Sequence, residues 1–299
     1  FDFALTPSAE VVGPPVTQAR QLIAESRSAP PVDSGSSCMI LARFARSPCP
    51  THDIVCVTLR SIVKLLILKN FIGSNDVAIE EKRKTIFITG AASGMGLATA
   101  RLFSERGWYV GGYDVDVGGL QALTTELGAQ NCIVGPLDVT DRANYTKALA
   151  DFSAETNGRL DLLFNNAGIG RGGFFDEQSF EDVMAVVNVN FVGVLNGIHL
   201  AIDLLKATPN SLCFTTSSSS ATFGMAGIAV YSATKHAVKG LTEALSVEFF
   251  RFGVRVADTL PGLIDTEILP DALKKNAPTD GMFRLIPPVE VAKAVWASY

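Results

Sequence analysis

The hydrophobic positions after about residue 84 follow a repeating pattern. Short runs that are apolar at nearly every position alternate with longer stretches in which apolar residues recur at helical spacing. The short runs are "TIFITG", "WYVGGYD", "CIVGPLDV", "LDLLFNNAG", "SLCFTTSSS" and "VRVADTLPG". Strands that are apolar on both faces are typical of a parallel sheet covered on both sides. The pattern therefore predicts an α/β protein with a doubly wound parallel sheet and helices on both faces.

The beginning of the chain differs in composition from the rest. Residues 1–79 hold seven of the fourteen prolines and three of the five cysteines, and they show no clear periodicity. We therefore predict an irregular N-terminal extension over residues 1–79 that is not part of the fold. Residues 80–299 then form one domain, which is within the usual size of a single α/β unit.

The extension contains one strongly apolar run, residues 54–72. The run is interrupted by three basic residues, Arg60, Lys64 and Lys69. It fails the test of about 18 uninterrupted apolar residues, so we predict no membrane span. An amphipathic surface anchor, a targeting segment, or sequence upstream of a true start near Val77 or Ala78 would each explain it, and we favour the last.

Charge and cysteine content narrow the class of protein further. The net charge of −5 and the pI near 5.3 argue against nucleic-acid binding, which needs a basic surface. The five cysteines are odd in number and show neither a CxxC motif nor Cys/His metal spacing. We expect reduced thiols in a cytoplasmic protein and no metal site.

The first predicted strand leads into the glycine-rich segment "TGAASGMG", Thr89–Gly96, and then into a helical pattern. Gly90 permits a tight turn, Gly94 lets the backbone approach a pyrophosphate, and Gly96 lets the helix pack closely on the strand. The N–H groups of the first helical turn then face the phosphates. Because the segment joins a strand to a helix, it predicts a dinucleotide site of the Rossmann type rather than an ordinary turn.

Asp114 ends the second predicted strand, 18 residues beyond Gly96. A carboxylate at this position can accept hydrogen bonds from the adenosine ribose hydroxyls and repels a 2′-phosphate. The next residues, Val115, Asp116 and Val117, supply no arginine or lysine. The sequence therefore favours NAD over NADP, with a solvated turn aspartate as the structural alternative.

The segment "YSATKHAVKG" places Tyr231 and Lys235 four residues apart, on one face of a helix. A phenol has a pKa of about 10, and lowering it to about 7 requires roughly 4 kcal/mol of preferential stabilisation of the phenolate. A nearby ammonium in a partly dry site, together with an oxidised nicotinamide, supplies that order of energy. A serine hydroxyl such as that of Ser218 is uncharged and cannot lower the pKa of a phenol in this way, but it can donate a hydrogen bond to an oxygen that becomes an alkoxide. The alternative is an ordinary surface pair.

The G-x3-G-x-G spacing, the "NNAG" motif and the Y-x3-K pair, in this order, resemble the short-chain dehydrogenase/reductase family. The resemblance runs from about Lys84 to the end of the chain. It implies hydride transfer between a nicotinamide and a small-molecule alcohol or ketone, in a protein whose full-length form is a homo-oligomer. Family members continue past a helix like "PPVEVAKAVWASY" into a last edge strand, which we expect to be missing here.

The resemblance also implies roles for four residues. Tyr231 is the acid/base, and Lys235 binds the nicotinamide ribose and lowers the tyrosine pKa. Ser218, thirteen residues before Tyr231, orients the substrate oxygen, with Ser217 as the alternative in a row of four serines. In "VNVNFVG", Asn190 holds a proton-relay water through its helix; Asn188 is the alternative there.

The family motifs extend the predicted dinucleotide site along the chain. "NNAG" follows the fourth strand, Asp138 lies near the adenine amino group, and "PGLIDT" meets the nicotinamide. The predicted cofactor-binding residues are Gly90, Ser93, Gly94, Met95, Gly96, Asp114, Asp138, Val139, Asn165, Ala167, Gly168, Tyr231, Lys235, Pro261, Gly262, Ile264 and Thr266.

The substrate is less defined. Residues 265–288 are expected to close over it, and nearby apolar side chains suggest a cyclic or acyl-chain alcohol: Leu263, Ile268, Leu269, Met282 and Phe283. Phe223 and Met225 either line a substrate wall or fill the core, and Phe174 or Phe175 could face substrate. The sequence thus predicts an NAD-dependent oxidoreductase of secondary alcohols and ketones. The alternatives are a non-catalytic dinucleotide-binding regulator and an isomerase or dehydratase that uses the same tyrosine.

Overall fold

The computed structural model describes residues 83–281 and 284–299. The predictions for residues 1–79, and for Met282 and Phe283 as substrate contacts, lie outside the described residues. The division of the chain near residue 80 therefore stays a prediction.

Six parallel strands form one sheet in the order β3-β2-β1-β4-β5-β6. Their bounds are β1 Thr85–Thr89, β2 Tyr109–Asp114, β3 Cys132–Pro136, β4 Leu162–Asn165, β5 Leu212–Thr216 and β6 Arg255–Thr259. Each predicted run contains one of these strands, and the strand order reverses between β1 and β4. In doubly wound folds, ligands bind at the carboxyl ends of the strands next to such a reversal.

Helices connect the strands and cover the sheet. Their bounds are α1 Gly94–Glu105, α2 Val117–Leu127, α3 Arg142–Glu155, α4 Phe180–Val187, α5 Gly193–Ala207, α6 Ala229–Glu248, α7 Asp271–Lys275 and α8 Pro288–Ser298. A π-helical turn, Asn188–Val192, joins α4 to α5. Asp116 and Asp141 begin α2 and α3 by accepting hydrogen bonds from first-turn N–H groups, which satisfies donors that a helix start leaves free.

The apolar core lies on both faces of the sheet. All five residues of β1 are buried, and they alternate between the faces. Phe87 belongs to the cluster that includes residues of α3, α5 and α6, where its ring stacks on Tyr113 at a centroid distance of 4.2 Å. Ile86 and Ile88 belong to the cluster that includes residues of α1, α2 and α8. This two-sided burial confirms the predicted doubly wound fold.

The continuous helix from Phe180 to Ala207 is, among the described residues, long and apolar enough to cross a membrane by length and composition alone. Several of its apolar residues pack in the core instead, including Val194, Ile198 and Leu205. A core helix passes the same test, so the helix is weak support for a membrane span.

Strands β3 and β6 form the two edges of the sheet within the described part of the chain. The expectation of a further edge strand beyond α8 stays a prediction.

Candidate active site

The glycine-rich segment forms the turn between β1 and α1. Gly90 has a φ of +68°, in the left-handed region that favours glycine. A Cβ atom on Gly96 would lie 1.9 Å from the carbonyl oxygen of Gly90, so no larger residue fits there without a shift. Close contact between the turn and the helix therefore requires glycine at this position, which is the role that the spacing predicts.

A cavity of about 450 Å³ opens beside this turn, at the carboxyl edge of the sheet. Ten predicted cofactor-binding residues line it: Gly90, Ser93, Gly94, Met95, Asp114, Asp138, Val139, Ala167, Gly168 and Thr266. Its lining also includes Ile268, predicted above for the substrate side, and residues outside the predicted cofactor-binding set: Val115, Leu137, Asn166, Ile169, Gly170, Arg171, Val189 and Glu267. Glycines, apolar side chains and the carboxylates of Asp114 and Asp138 after their strands suit a nucleotide whose phosphates meet backbone N–H groups.

Asp114 ends β2 with its carboxylate fixed between two backbone amides. Oδ2 accepts a hydrogen bond from the N–H of Ala92 at 3.0 Å, and Oδ1 accepts one from the N–H of Asp116 at 3.0 Å. Each carboxylate oxygen keeps acceptor capacity for a further donor. The side chain therefore joins the glycine turn to the end of β2 and still presents acceptors at the cavity.

Asp138 also lies at the cavity, after β3. Its Oδ1 accepts hydrogen bonds from both the N–H and the hydroxyl of Thr140, at 2.9 and 2.7 Å. The N–H of Asp138 donates to Asn144 on α3. These bonds hold the loop between β3 and α3 against the cavity.

Lys235 lies on α6 and is buried, with 4% of its surface exposed. Its Nζ donates a hydrogen bond to the carbonyl oxygen of Thr216 at 2.8 Å and lies 5.6 Å from the ring centroid of Tyr231. The two side chains therefore share one face of the helix, as their spacing predicts. Burial lowers the pKa of Lys235 to about 8.

Tyr231 differs from the expectation in the direction of its pKa. Burial raises the pKa of its phenol, and a hydrogen bond with Ser218 opposes that effect. Loss of hydration favours the neutral form of both the phenol and the lysine, so the amine alone does not produce a net lowering. The hydrogen bond with Ser218 favours the phenolate, and the role of Ser218 toward a substrate oxygen stays a prediction.

The two candidate serines, Ser217 and Ser218, are distinguished by the directions of their side chains. The Ser217 hydroxyl donates to the backbone carbonyl of Lys235 at 3.2 Å, so it faces α6. The Ser218 hydroxyl accepts from the N–H of Ser220 at 3.2 Å and interacts with Tyr231. This geometry favours Ser218 over Ser217 for the predicted role.

Asn190 lies in the π-helical turn and is fully buried. Its Oδ1 accepts from the N–H of Ile169 at 2.8 Å, and its Nδ2 donates to the Ile169 carbonyl at 2.9 Å. A Cβ atom on Gly168 would lie 3.3 Å from Asn190 Oδ1 and 3.8 Å from Lys235 Nζ. The "NNAG" turn is therefore next to both polar residues, which favours Asn190 over Asn188.

Seven predicted cofactor-binding residues do not line the cavity: Gly96, Asn165, Tyr231, Lys235, Pro261, Gly262 and Ile264. Asn165 is buried, with its side chain directed at Tyr145 and Cys213 on one face of the sheet. Ile264 is a core residue, 5% exposed. The prediction missed Asn166, which lines the cavity and donates to the carbonyl oxygens of Thr89 and Gly90.

Exposure excludes one of the alternatives left open for the substrate side. Phe174 and Phe175 are each 64% exposed and Phe223 is 56% exposed, so Phe223 is not a core residue. The loop that carries Phe174 is joined to the segment after Phe223 by a backbone hydrogen bond from the N–H of Gly173 to the carbonyl of Gly227 at 2.9 Å. Within residues 83–281 and 284–299, no group of three or more metal-ligating side chains occurs.

The fold and this arrangement define a class: α/β oxidoreductases that bind a nicotinamide dinucleotide at the carboxyl edge of a parallel sheet. The model of the short chain dehydrogenase family matches residues 84–277. The chain belongs to this family, and its membership favours an enzyme over the non-catalytic alternative.

Curated relatives include the 2,5-dichloro-2,5-cyclohexadiene-1,4-diol dehydrogenase LinX of Sphingobium indicum. It is 36% identical over 215 residues, which cover 70% of this chain and 86% of the relative. The cyclohexanol dehydrogenase of an Acinetobacter species is 32% identical over 219 residues, covering 71% and 86%. The 3-ketoacyl-(acyl-carrier-protein) reductase of Brucella melitensis, solved as a complex with NADH, superposes with a TM-score of 0.65 at 27% identity, covering 71% of this chain and 89% of that one.

Proposed function

We propose that this protein is an NAD-dependent dehydrogenase that transfers hydride between the nicotinamide and a secondary alcohol or ketone, with Tyr231 as the acid/base. The observation that supports this most strongly is the position of Lys235, buried on the same face of α6 as Tyr231 and next to the "NNAG" turn. Gly168 of that turn lines the cavity, so the amine and the phenol beside it lie next to the proposed dinucleotide site.

The residues of the cavity fit NAD. The glycine turn presents backbone N–H groups for the pyrophosphate, and Asp114 presents acceptors for the ribose hydroxyls. Asp116 places a second carboxylate next to Asp114, and the basic residue in the lining, Arg171, forms an ion pair with Asp182. A 2′-phosphate would therefore meet negative charge with no free cation in that lining, which disfavours NADP.

Bound nicotinamide supplies the hydride acceptor or donor. In the oxidation direction, the Tyr231 phenolate takes the proton of the substrate hydroxyl, and Ser218 donates a hydrogen bond to the substrate oxygen. The Lys235 ammonium stabilises the phenolate, and its charge has to compensate for the burial that raises the pKa of Tyr231. Asn190, held by Ile169, is proposed to position a water that passes the proton to solvent through Lys235.

The exposed phenylalanines at the substrate side support a fairly apolar substrate. Phe174, Phe175 and Phe223 lie on two loops joined by the Gly173–Gly227 hydrogen bond, and Ile268 lines the cavity. The curated relatives named above act on ring alcohols by their names, a cyclohexadiene diol and cyclohexanol. We propose a cyclic or acyl-chain secondary alcohol, or the matching ketone, as the substrate class.

The remaining proposals concern the whole protein. We propose that residues 80–299 act as the catalytic domain, that the full-length form is a homo-oligomer, and that the protein is cytoplasmic. The acidic charge balance supports a small-molecule substrate rather than a nucleic-acid partner. An isomerase or dehydratase that used Tyr231 would convert substrate without net NADH formation, which separates it from the proposed activity.

The dinucleotide preference is tested by NADH and NADPH formation across a panel of cyclic and linear secondary alcohols. We expect kcat/KM with NAD to exceed that with NADP by about 100-fold, because NADP would lose two hydrogen bonds from the ribose hydroxyls to the Asp114 carboxylate. Asp114→Ser should reduce that ratio to about 10-fold or less. Asp116→Ser is the control, because serine can keep the cap of α2, and it should leave most of the preference. Equal efficiency of the natural protein with both dinucleotides would refute the proposal.

A further inference from the structure

The carboxyl ends of three neighbouring strands are linked by side chains. Asn166, which directly follows β4, donates from Nδ2 to the carbonyl oxygens of Thr89 and Gly90 at 3.1 and 3.2 Å. Its Oδ1 accepts a hydrogen bond from the hydroxyl of Thr216, at the end of β5, at 3.2 Å. Because Nδ2 faces two carbonyl oxygens, the orientation of the amide is fixed, and Oδ1 is the end that meets Thr216.

Thr216 makes a second polar contact, through its backbone. Its carbonyl oxygen is the acceptor for the Lys235 ammonium at 2.8 Å. Thr216 is 5% exposed and Lys235 is 4% exposed, so water competes little for either group. One residue thus joins the glycine turn, through Asn166, to the buried lysine of α6.

We propose that Thr216 is a positioning residue, whose hydroxyl bond to Asn166 holds its carbonyl oxygen in place and thereby fixes the Lys235 ammonium relative to the glycine turn. The inference rests on the proposed function in one respect: the proposed function is what gives Lys235 a role beside Tyr231. The path of four hydrogen-bonding groups, Gly90, Asn166, Thr216 and Lys235, joins the place where phosphates would bind to the place where the proton moves.

The proposal has a direct electrostatic consequence. A hydrogen bond from the ammonium to a carbonyl oxygen favours the charged form of a buried lysine, against the desolvation that disfavours it. Removal of the Thr216 hydroxyl leaves Asn166 Oδ1 without this donor, and buried polar groups without partners rearrange or cost free energy. The Thr216 carbonyl then loses its fixed direction, and the charged form of Lys235 loses part of its stabilisation.

The chain contains a matched control in the preceding residue. Thr215 lies in the same strand and is fully buried, and its hydroxyl has no hydrogen-bond partner within the described residues. Thr215→Val therefore removes the same atom from the same strand without breaking a bond. Thr216→Ser is the conservative variant, because it keeps the hydroxyl and removes only a methyl group.

The test is NMR titration of lysine side chains, carried out on the full chain with Lys235 assigned by the spectrum of Lys235→Arg. Thr216→Val should lower the pKa of Lys235 by about 0.5 to 1, the change that loss of one buried hydrogen bond implies. Thr216→Ser and Thr215→Val should leave it within about 0.2 of the natural value. Thr216→Ala removes the same hydroxyl and replaces the valine variant if that variant does not fold.

A pKa of Lys235 that is unchanged in folded Thr216→Val and Thr216→Ala would overturn the proposal. An equal fall in Thr215→Val would overturn it too, because the effect would then be general loosening of β5. The titration needs neither substrate nor dinucleotide, so a natural protein without turnover would count against the proposed function alone. In active protein, Thr216→Val should also lower kcat at pH 7 by about 10-fold and move the acid limb of the profile to higher pH.

Discussion

At the scale of single residues, the most unusual feature is a lysine buried among polar backbone groups. Lys235 donates a hydrogen bond to the carbonyl oxygen of Thr216, and burial is the cause of its lowered pKa. Its burial is therefore only partly compensated, which keeps its pKa close to the range in which it can exchange protons. A group with these properties is useful in a proton relay and costly for stability.

This cost predicts how stability depends on pH. The pKa of Lys235 is about 8 in the folded protein, against an ordinary value of 10.5. Between these values the unfolded chain binds more protons, so the contribution of Lys235 to the free energy of unfolding rises with pH. The free energy of unfolding of the natural protein relative to Lys235→Met should rise by about 2 kcal/mol from pH 8 to pH 10.

Urea unfolding of the natural protein and of Lys235→Met across this pH range measures the difference between their free energies of unfolding. Both proteins contain Tyr231 and the other tyrosines, so the titration of these groups is common to the two measurements. Lys239→Met provides the control, because Lys239 lies on the same helix and contacts Glu243 at the surface. The free energy of unfolding of the natural protein relative to Lys239→Met should not rise between pH 8 and pH 10. A flat difference for Lys235→Met would mean that the lysine is hydrated in solution.

The sequence predicted which residue types form the site better than it predicted their directions. Both asparagines of "NNAG" are residue types that suit a turn. Because β4 ends at Asn165, the side chain of Asn165 faces the core and that of Asn166 faces the glycine turn, and the sequence alone does not give that strand end. The direction of the tyrosine pKa also required three-dimensional information, because burial cannot be judged from spacing. The position of Asp114, at the end of its strand and beside the cavity, was predictable because the strand and the glycine segment are close in sequence.

At the scale of elements, contact between the glycine turn and α1 is the most constrained junction. Gly96→Ala would place a methyl group 1.9 Å from the Gly90 carbonyl and 2.8 Å from Asn166 Nδ2. The turn and the helix must then separate, which we expect to destabilise the protein by about 2 kcal/mol or more and to weaken NADH binding at least tenfold. Thermal unfolding and NADH fluorescence titration measure the two effects.

Gly118→Ala is the matched control for this junction. Gly118 lies in the first turn of α2, and the nearest atom to an added Cβ would be an Asp116 carboxylate oxygen at 3.4 Å, an ordinary contact. Alanine also has the higher helix propensity, so this variant should be as stable as the natural protein or slightly more so. If Gly96→Ala bound NADH as the control does, the turn would not form the phosphate site.

Element boundaries show what a hydrophobic pattern can and cannot give. The predicted strand runs extend beyond the observed carboxyl ends, because the polar residues that follow β4 and β5 form the site rather than the sheet. The π-helical turn at Asn188–Val192 has no sequence signal, since the pattern from α4 to α5 is that of one apolar helix. Such turns are frequent at functional sites, and this one contains Asn190.

At the scale of the whole molecule, the carboxyl and amino ends of the strands carry two different polar networks. The glycine turn, Asn166 and Thr216 lie together at the carboxyl ends of β1, β4 and β5. At the amino end of the sheet, the buried carboxylate of Asp161 accepts hydrogen bonds from Arg159, from the N–H of Thr85 and from the hydroxyl of Tyr299. This second network fixes the segment after α8 to the sheet, at the edge opposite the cavity.

The fold was predictable because its evidence is spread along the chain as six apolar runs and three ordered motifs, and the described structure confirms it. The path from Gly90 to Lys235 was not predictable, because it joins residues of four different elements through side chains. The residues named for the substrate side stay a prediction. Its exposed phenylalanines lie on loops, whose positions depend on contacts such as the one between Gly173 and Gly227.

The central claim is that Tyr231 exchanges the proton while hydride passes to or from a nicotinamide bound at the neighbouring turn. Its most direct test is turnover and NADH affinity measured together for Tyr231→Phe, using the best alcohol of the panel. We expect kcat to fall by at least about 10³-fold, the scale of acid/base catalysis, while the Kd of NADH changes by less than about threefold. Turnover that persists at the natural rate in this variant would contradict the account.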